Sequence, residues 1–297
     1  MGLIDRIANR IVRAVQGPPV RERIVVKVVE PSGGKGMAPC FLIGVYRSGT
    51  TLLRYVLDSH SNIAVPPETN FLCQTAEIWR SAWVRTGLKG AGVDEEGLRI
   101  RLREFAGGVF DDYAAAKGKT RWVDKTPAYI DILDFLDFLF GERCRYIMLY
   151  RNGLDVANSL AETYEKKMLG GPPKHYADSM QGPPRLVFSS YWSEECEKMI
   201  EFEKAHPSQC FRVLYESYAT EPEKQLKPLF EFLGESWDPG VLDFNRKNHD
   251  YGLQDSKIAQ TKSFDPRIGT YGSWSAEEVS TAKGLIRATM TKLGYEV

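Results

Sequence analysis

Between Phe41 and His60 the chain reads FLIGVYRSGTTLLRYVLDSH: an apolar run, a glycine-bounded turn and an amphipathic segment in immediate succession. Gly44 and Gly49 bracket four residues, and Thr50 and Thr51 open a segment whose Leu52, Leu53, Val56 and Leu57 share one helical face. Backbone N–H groups in such a turn converge on one point, and the uncompleted N–H groups of the following helix add partial positive charge. The stretch therefore predicts an anion site. Its spacing is that of a Walker A loop, G-x-x-x-x-G-K-[ST], with Thr50 where the lysine that reaches the β/γ-phosphates should stand. The cation in the turn is instead Arg47, whose planar fork suits a tetrahedral oxyanion, so the loop is built for a different anion.

The other residues that could do chemistry follow short apolar runs. Ile63 to Val65 are stopped by Pro66 and Pro67, which places Glu68 just beyond a strand end. Trp122-Val123-Asp124 lead into Lys125, RYIMLY runs into Arg151, and Phe211 to Tyr215 form a late strand. Strand ends are where α/β proteins place their sites. Asn152-Gly153 turn the chain into a helix that carries Ser159 about two turns after Arg151.

Strands alternating with helices predict an α/β fold of P-loop type, a mainly parallel sheet with helices on both faces. Residues Phe71 to Lys117 read as a helical insertion over the site, broken at GLKGAG and again at Gly107-Gly108. Met168 to Pro184, MLGGPPKHYADSMQGPP, reads as an irregular loop and a substrate lid. Capping-box spacing occurs at Thr220 to Glu223 and at Ser275 to Glu278, the second opening a last helix that ends at Gly294. Residues 238–268 are polar and loop-like, with Ser256-Lys257-Ile258 and Arg267-Ile268-Gly269 as candidate cofactor contacts. Residues 1–38 read as an N-terminal extension, with a strand at Arg23 to Val29, and residues 39–297 as one domain.

The run V-Y-R-S-G-T-T-L-L-R resembles the 5′-phosphosulfate loop of sulfotransferases that use 3′-phosphoadenosine 5′-phosphosulfate (PAPS). With L-D-S-H and then Glu68-Thr69 it is similar to the tyrosylprotein sulfotransferase branch, and the similarity extends in patches from about Cys40 to the C-terminus. The resemblance implies that Arg47, Ser48, Gly49, Thr50 and Thr51 hold the phosphosulfate, that Arg151 and Ser159 hold the 3′-phosphate, and that Tyr215 contacts the nucleotide. It implies Glu68 as the base for an acceptor hydroxyl; should Glu68 not serve, His175, in the loop read as a lid, is the next candidate. Arg47 would assist, and Lys125 would neutralise charge on the leaving oxygen, 3′,5′-adenosine bisphosphate being the product. The tyrosylprotein branch carries a further arginine four residues after the serine, where this chain has Thr163. The acceptor stays open: a hydroxyl on a small molecule, glycan, lipid or peptide tyrosine. A P-loop kinase or NTPase shares the fold, and a non-catalytic nucleotide-binding scaffold would keep Arg47 and Arg151 without needing Glu68 and Lys125.

Composition narrows the partners. The 297 residues are 43% hydrophobic, enough for a large core, and Lys plus Arg equal Asp plus Glu at 39 each, so no global field draws nucleic acid or an anionic membrane. Four scattered histidines and five cysteines without C-x-x-C spacing imply no metal, and the odd cysteine count argues against a full disulfide framework and for a reducing compartment. No run approaches a membrane span and no signal core opens the chain, which predicts a cytoplasmic protein. Leu3, Ile7, Ile11 and Val15 share a helical face with Arg6, Arg10 and Arg13 nearby, a segment (residues 3–15) that could pack on the domain or a partner, or touch a membrane surface.

Overall fold

The computed structural model describes residues 38–250 and 264–296. The segment at residues 3–15, the strand expected at Arg23 to Val29, and Ser256 and Lys257 lie outside the described residues. Five strands form the sheet: β1 (Cys40–Gly44), β2 (Ile63–Ala64), β3 (Arg121–Lys125), β4 (Arg145–Tyr150) and β5 (Cys210–Leu214). Their order is β2-β3-β1-β4-β5 and each neighbouring pair is parallel. The chain leaves β1 for the edge strand β2, returns through β3, and crosses β1 to reach β4. The order thus reverses at β1, and a ligand crevice is expected beyond the carboxyl ends of the strands there.

After β1 comes α1 (Thr50–Asp58). Helices α2 (Phe71–Arg80), α3 (Ala82–Gly90) and α4 (Glu95–Ala116) fill the connection from β2 to β3, and α5 (Leu133–Phe140) leads to β4. Next are α6 (Gly153–Glu165), α7 (Pro172–Ser179) and α8 (Pro184–Ala205) before β5, then α9 (Tyr215–Thr220), α10 (Pro222–Leu233) and the last helix, α11 (Ala276–Lys292).

Alternation along β1 divides the core, because successive side chains of a strand point to opposite faces. Phe41 and Ile43 enter a cluster with apolar residues of α4, α5, α6, α8 and α11, whereas Cys40 and Leu42 join α1, α9 and α10. All four are fully buried, so both faces of the sheet are covered, as the near-continuous apolar runs predict. Phe41 alone meets Trp122, Phe140 and Tyr146 at ring-centroid distances of 5.6, 5.6 and 6.1 Å, and burying such a side chain stabilises the fold by roughly 1.5–3 kcal/mol.

Three local expectations fail. The insertion is helical, but α4 runs unbroken through Gly107-Gly108. Its buried Leu98, Leu102, Ala106, Phe110 and Ala114 recur every fourth residue, and that stripe outweighs a glycine cost of about 1 kcal/mol each. The Met168 to Pro184 stretch contains a helix, α7, because Gly171 turns at φ 68° and the two prolines fall in the first helical turn, where a missing N–H costs nothing. The capping box at Thr220 does not form: Thr220 ends α9 with its hydroxyl donating to the Glu216 carbonyl at 2.6 Å, and α10 starts at Pro222 without a side-chain cap. The box at Ser275 and Glu278 does form, with both bonds present.

Candidate functional site

The loop from Val45 to Gly49 is shaped by two glycines. A Cβ on Gly44 would lie 2.9 Å from the Leu149 carbonyl and 2.9 Å from Thr50 Cγ2, and one on Gly49 would lie 2.5 Å from the Tyr215 ring. Gly49 also has φ 90°, a region that favours glycine, and its carbonyl accepts from the Tyr218 hydroxyl at 3.1 Å. Arg47 is held at φ 71° as well, an uncommon conformation for a side-chain-bearing residue. Helix α1 has Gly49 as its N-cap, with no side-chain cap and no acidic residue in the first turn, so its leading N–H groups stay available to an anion. Beside them the buried Ser48 hydroxyl has no partner among the described residues.

The turn after β4 closes on this loop. Arg151 Nη1 donates to the Arg47 carbonyl at 2.9 Å and Nη2 to the Arg267 carbonyl at 2.5 Å, while the guanidinium lies 4.5 Å from the centre of the Tyr215 ring. Arg151 Nε, buried, makes no hydrogen bond among the described residues. Ser159, on α6, accepts from Arg47 Nε at 3.0 Å, so the serine meets the loop arginine rather than Arg151. Tyr215 accepts the Arg267 N–H at 3.2 Å, and Asp155 accepts the N–H groups of Gly269 and Thr270 at 3.0 and 2.6 Å. Asp155 thereby anchors the Arg267-Ile268-Gly269 stretch, a role a first-turn aspartate did not announce in sequence. Thr163 turns its hydroxyl back to the Ser159 carbonyl at 2.6 Å and supplies no charge where the tyrosylprotein pattern has arginine.

On the other flank, Lys125 ends β3 fully buried, with Nζ against a Glu68 carboxylate oxygen and 3.5 Å from Thr51 Oγ1. Glu68 is 19% exposed, so it faces both the lysine and solvent. Burial, together with the nearby Arg54 charge, lowers the Lys125 pKa from its ordinary value, and Glu68 pulls it back up only in part. On the opposite side of β3 lies Asp124, fully buried, with no hydrogen bond of full geometry to either oxygen among the described residues. Its pKa is pushed up to about 7 by burial, against the weaker pull of Tyr129 and Lys125. The Tyr129 hydroxyl in turn meets Thr69 Oγ1 at 3.1 Å, next to Glu68.

All five strands thus contribute at their carboxyl ends: the loop after β1, Glu68 after β2, Lys125 on β3, Arg151 after β4 and Tyr215 after β5. Two residues escaped the reading of the sequence, Asp155 and the wholly buried Arg54, the latter on a helix that is buried throughout from Thr50 to Leu57. His175 is exposed on α7, and His60 stacks on Phe230 with Nε2 2.9 Å from the Ser236 carbonyl, a packing role. No group of three metal-binding side chains occurs among the described residues. Chemically, the site couples an anion cradle to a carboxylate through one buried ammonium.

Known proteins resemble this chain in sequence and in fold. The chain is 27% identical over 280 residues to the nodulation protein NoeE of Sinorhizobium fredii, an overlap of 86% of this chain and 66% of that protein. It is 28% identical over 218 residues to protein-tyrosine sulfotransferase 2 of Gallus gallus, covering 72% of this chain and 56% of that one. It therefore spans less than two thirds of the length of either relative. Among solved structures, a sulfotransferase domain from the curacin biosynthetic pathway superposes with a TM-score of 0.62 at 18% identity, over 89% of this chain and 100% of that domain, a likeness of fold. Residues 39–239, which carry all five strands, the anion loop, Glu68, Lys125, Arg151, Ser159 and Tyr215, match the model of the sulfotransferase family, and the chain belongs to that family.

Proposed function

We propose that the protein is an O-sulfotransferase that moves the sulfuryl group of PAPS to an acceptor hydroxyl. The observation that carries this reading is Lys125, a buried ammonium in contact with Glu68 and within reach of Thr51 in the anion loop. A kinase-type site would place a loop lysine on the phosphates; here the lysine comes from β3 and is paired with a carboxylate. The protein groups fit the nucleotide: Ser48 Oγ and Arg151 Nε are buried donors without acceptors among the described residues, beside the open N-terminus of α1. Arg47, Ser48, Gly49, Thr50 and Thr51 would hold the phosphosulfate, Arg151 and Ser159 the 3′-phosphate, and Tyr215 would contact the nucleotide while supporting Arg151.

In this reading Glu68 takes the proton of the acceptor hydroxyl as the oxygen bonds to sulfur, and the bond from sulfur to the phosphate oxygen breaks with its electron pair going to 3′,5′-adenosine bisphosphate. Protonation also removes the negative charge that Glu68 presents to Lys125. The ammonium is then freed toward the leaving oxygen in the same step that creates charge there. A tyrosine peptide is the first acceptor to try, because one relative is named a protein-tyrosine sulfotransferase. Residues 39–297 would act as one domain. Five unpaired cysteines support a reducing, cytoplasmic setting.

The test incubates the protein with sulfur-labelled PAPS and a panel of phenols, glycans, lipids and tyrosine peptides, and repeats it with Glu68→Gln. The variant keeps bisphosphate affinity and loses about 10²- to 10⁴-fold in transfer. Wild-type transfer by Glu68→Gln, or preference for ATP–Mg over the bisphosphate, would refute the reading.

A further inference from the structure

Glu68 sits in a segment, Val65 to Asn70, that belongs to no strand or helix, and Pro66 and Pro67 deprive it of two backbone donors. A carboxylate that must meet an acceptor proton within hydrogen-bond reach cannot tolerate a loose backbone, since misplacement by about 1 Å can cost about 10²-fold. At Pro66 and Pro67 the backbone can be gripped only by its carbonyls. Arg54 does this from the middle of α1, the helix that begins at the anion loop. Its side chain is 0% exposed; Nε donates to the carbonyls of Val65 at 3.2 Å and Pro66 at 2.8 Å, and Nη2 to Val65 at 3.0 Å and Asp250 at 2.8 Å.

One turn further along α1, Asp58 accepts the Val65 N–H at 3.0 Å, so both polar backbone groups of Val65 are held by a single helix. His249 reinforces Asp58, its Nδ1 2.6 Å from Oδ2 while Nε2 meets the Phe244 carbonyl at 2.8 Å. Beyond Glu68, the Thr69 to Tyr129 contact fixes the other end. Arg54 also acts on the site by charge, adding to burial in lowering the Lys125 pKa.

We propose that Arg54 is a positioning residue for Glu68: its fork registers the Val65–Pro66 backbone against the helix that carries Thr50 and Thr51, setting the carboxylate relative to the anion loop. A lysine would keep the charge but could not serve three carbonyls in one plane. The inference rests on the reading of Glu68 as the base, yet its structural half is measurable without turnover.

The experiment compares wild type, Arg54→Met and Arg54→Lys as full chains by hydrogen exchange with mass spectrometry, by titration with 3′,5′-adenosine bisphosphate, and by transfer from PAPS to a tyrosine peptide. Pro66 and Pro67 carry no amide, so the reporter is the Val65 N–H, which is bonded to Asp58. The expected result is exchange about tenfold or more faster at Val65, with residues 50–58 and 121–125 unchanged and bisphosphate affinity within about threefold of wild type. Transfer falls about 10²-fold in kcat without a matching rise in the PAPS KM, and Arg54→Lys lies between. Should Arg54→Met fail to fold, Arg54→Lys decides alone by the same localised exchange. Unchanged exchange at Val65, or a uniform rise across the domain, overturns the proposal, the latter marking Arg54 as general core. If the exchange effect is localised while Arg54→Met and Glu68→Gln both transfer at the wild-type rate, the clamp on the segment stands and the assignment of Glu68 as base falls.

Discussion

Replacing Asp124 by asparagine should make the protein more stable, and more so as the pH rises. Asp124 is fully buried on β3 between Val123 and Lys125, and burial raises its pKa from 3.8 to about 7. In the unfolded chain the carboxyl loses its proton near pH 4, whereas in the folded protein it keeps the proton to about pH 7. Between those values the folded state binds more protons than the unfolded one, so stability falls with rising pH and levels off above about 7. At about 1.4 kcal/mol per pH unit the full interval is worth on the order of 4 kcal/mol, a ceiling that local relaxation and water entry reduce. The amide that replaces the carboxyl cannot ionise and retains an oxygen that can accept from Tyr129, so Asp124→Asn should match wild type near pH 4 and exceed it by about 1–4 kcal/mol at pH 8. Urea denaturation of both proteins from about pH 4 to about pH 8.5 measures this directly. Parallel stability profiles across that range would show that Asp124 does not carry its proton into the neutral region. Burial at this strand end would then not be what governs the carboxyl.

Arg151→Ala should weaken 3′,5′-adenosine bisphosphate binding by roughly 10- to 150-fold, the equivalent of about 1.5–3 kcal/mol for charge-assisted contacts, with Ser159→Ala milder; calorimetric titration at wild-type affinity would remove Arg151 from the 3′-phosphate site. Lys125→Ala should lower kcat by about 10²-fold or more and leave the PAPS KM nearly unchanged, because the charge it meets exists only in the transition state; a rise in KM alone would make it a ground-state clamp. Gly49→Ala should abolish bisphosphate binding and lower the melting temperature, since the new methyl meets Tyr215 at 2.5 Å and the backbone stands at φ 90°, whereas Gly107→Ala, with nothing described within 4 Å, should stabilise α4 by up to about 1 kcal/mol.

What was legible in the sequence is what depends on spacing along the chain. The run from Phe41 to Leu57 encodes strand, turn and helix by apolar period and two glycines, and β1, the loop and α1 stand where that pattern puts them. Glu68, Lys125, Arg151 and Tyr215 each follow a short apolar run, so their arrival at one edge of a parallel sheet follows from the α/β alternation alone. Pairing within the site did not follow from it. Nothing local tells Arg47 to bind Ser159, 112 positions away, or Arg151 to lean on Tyr215. The misread elements fail for the same reason, since the glycines of α4 and the prolines of α7 are breakers by local propensity and are overruled by a buried stripe and by first-turn placement.

Arg54 is the sharpest case. By composition it is a surface charge on an amphipathic helix, and only the fold turns it inward, toward carbonyls that two prolines leave ungripped on the donor side. A buried arginine whose fork is spent on another segment's carbonyls costs desolvation that apolar packing would avoid. Such a residue persists where the position of the gripped backbone matters more than the stability it costs. At Val65 and Pro66 that backbone leads, two residues on, to the carboxylate that faces Lys125.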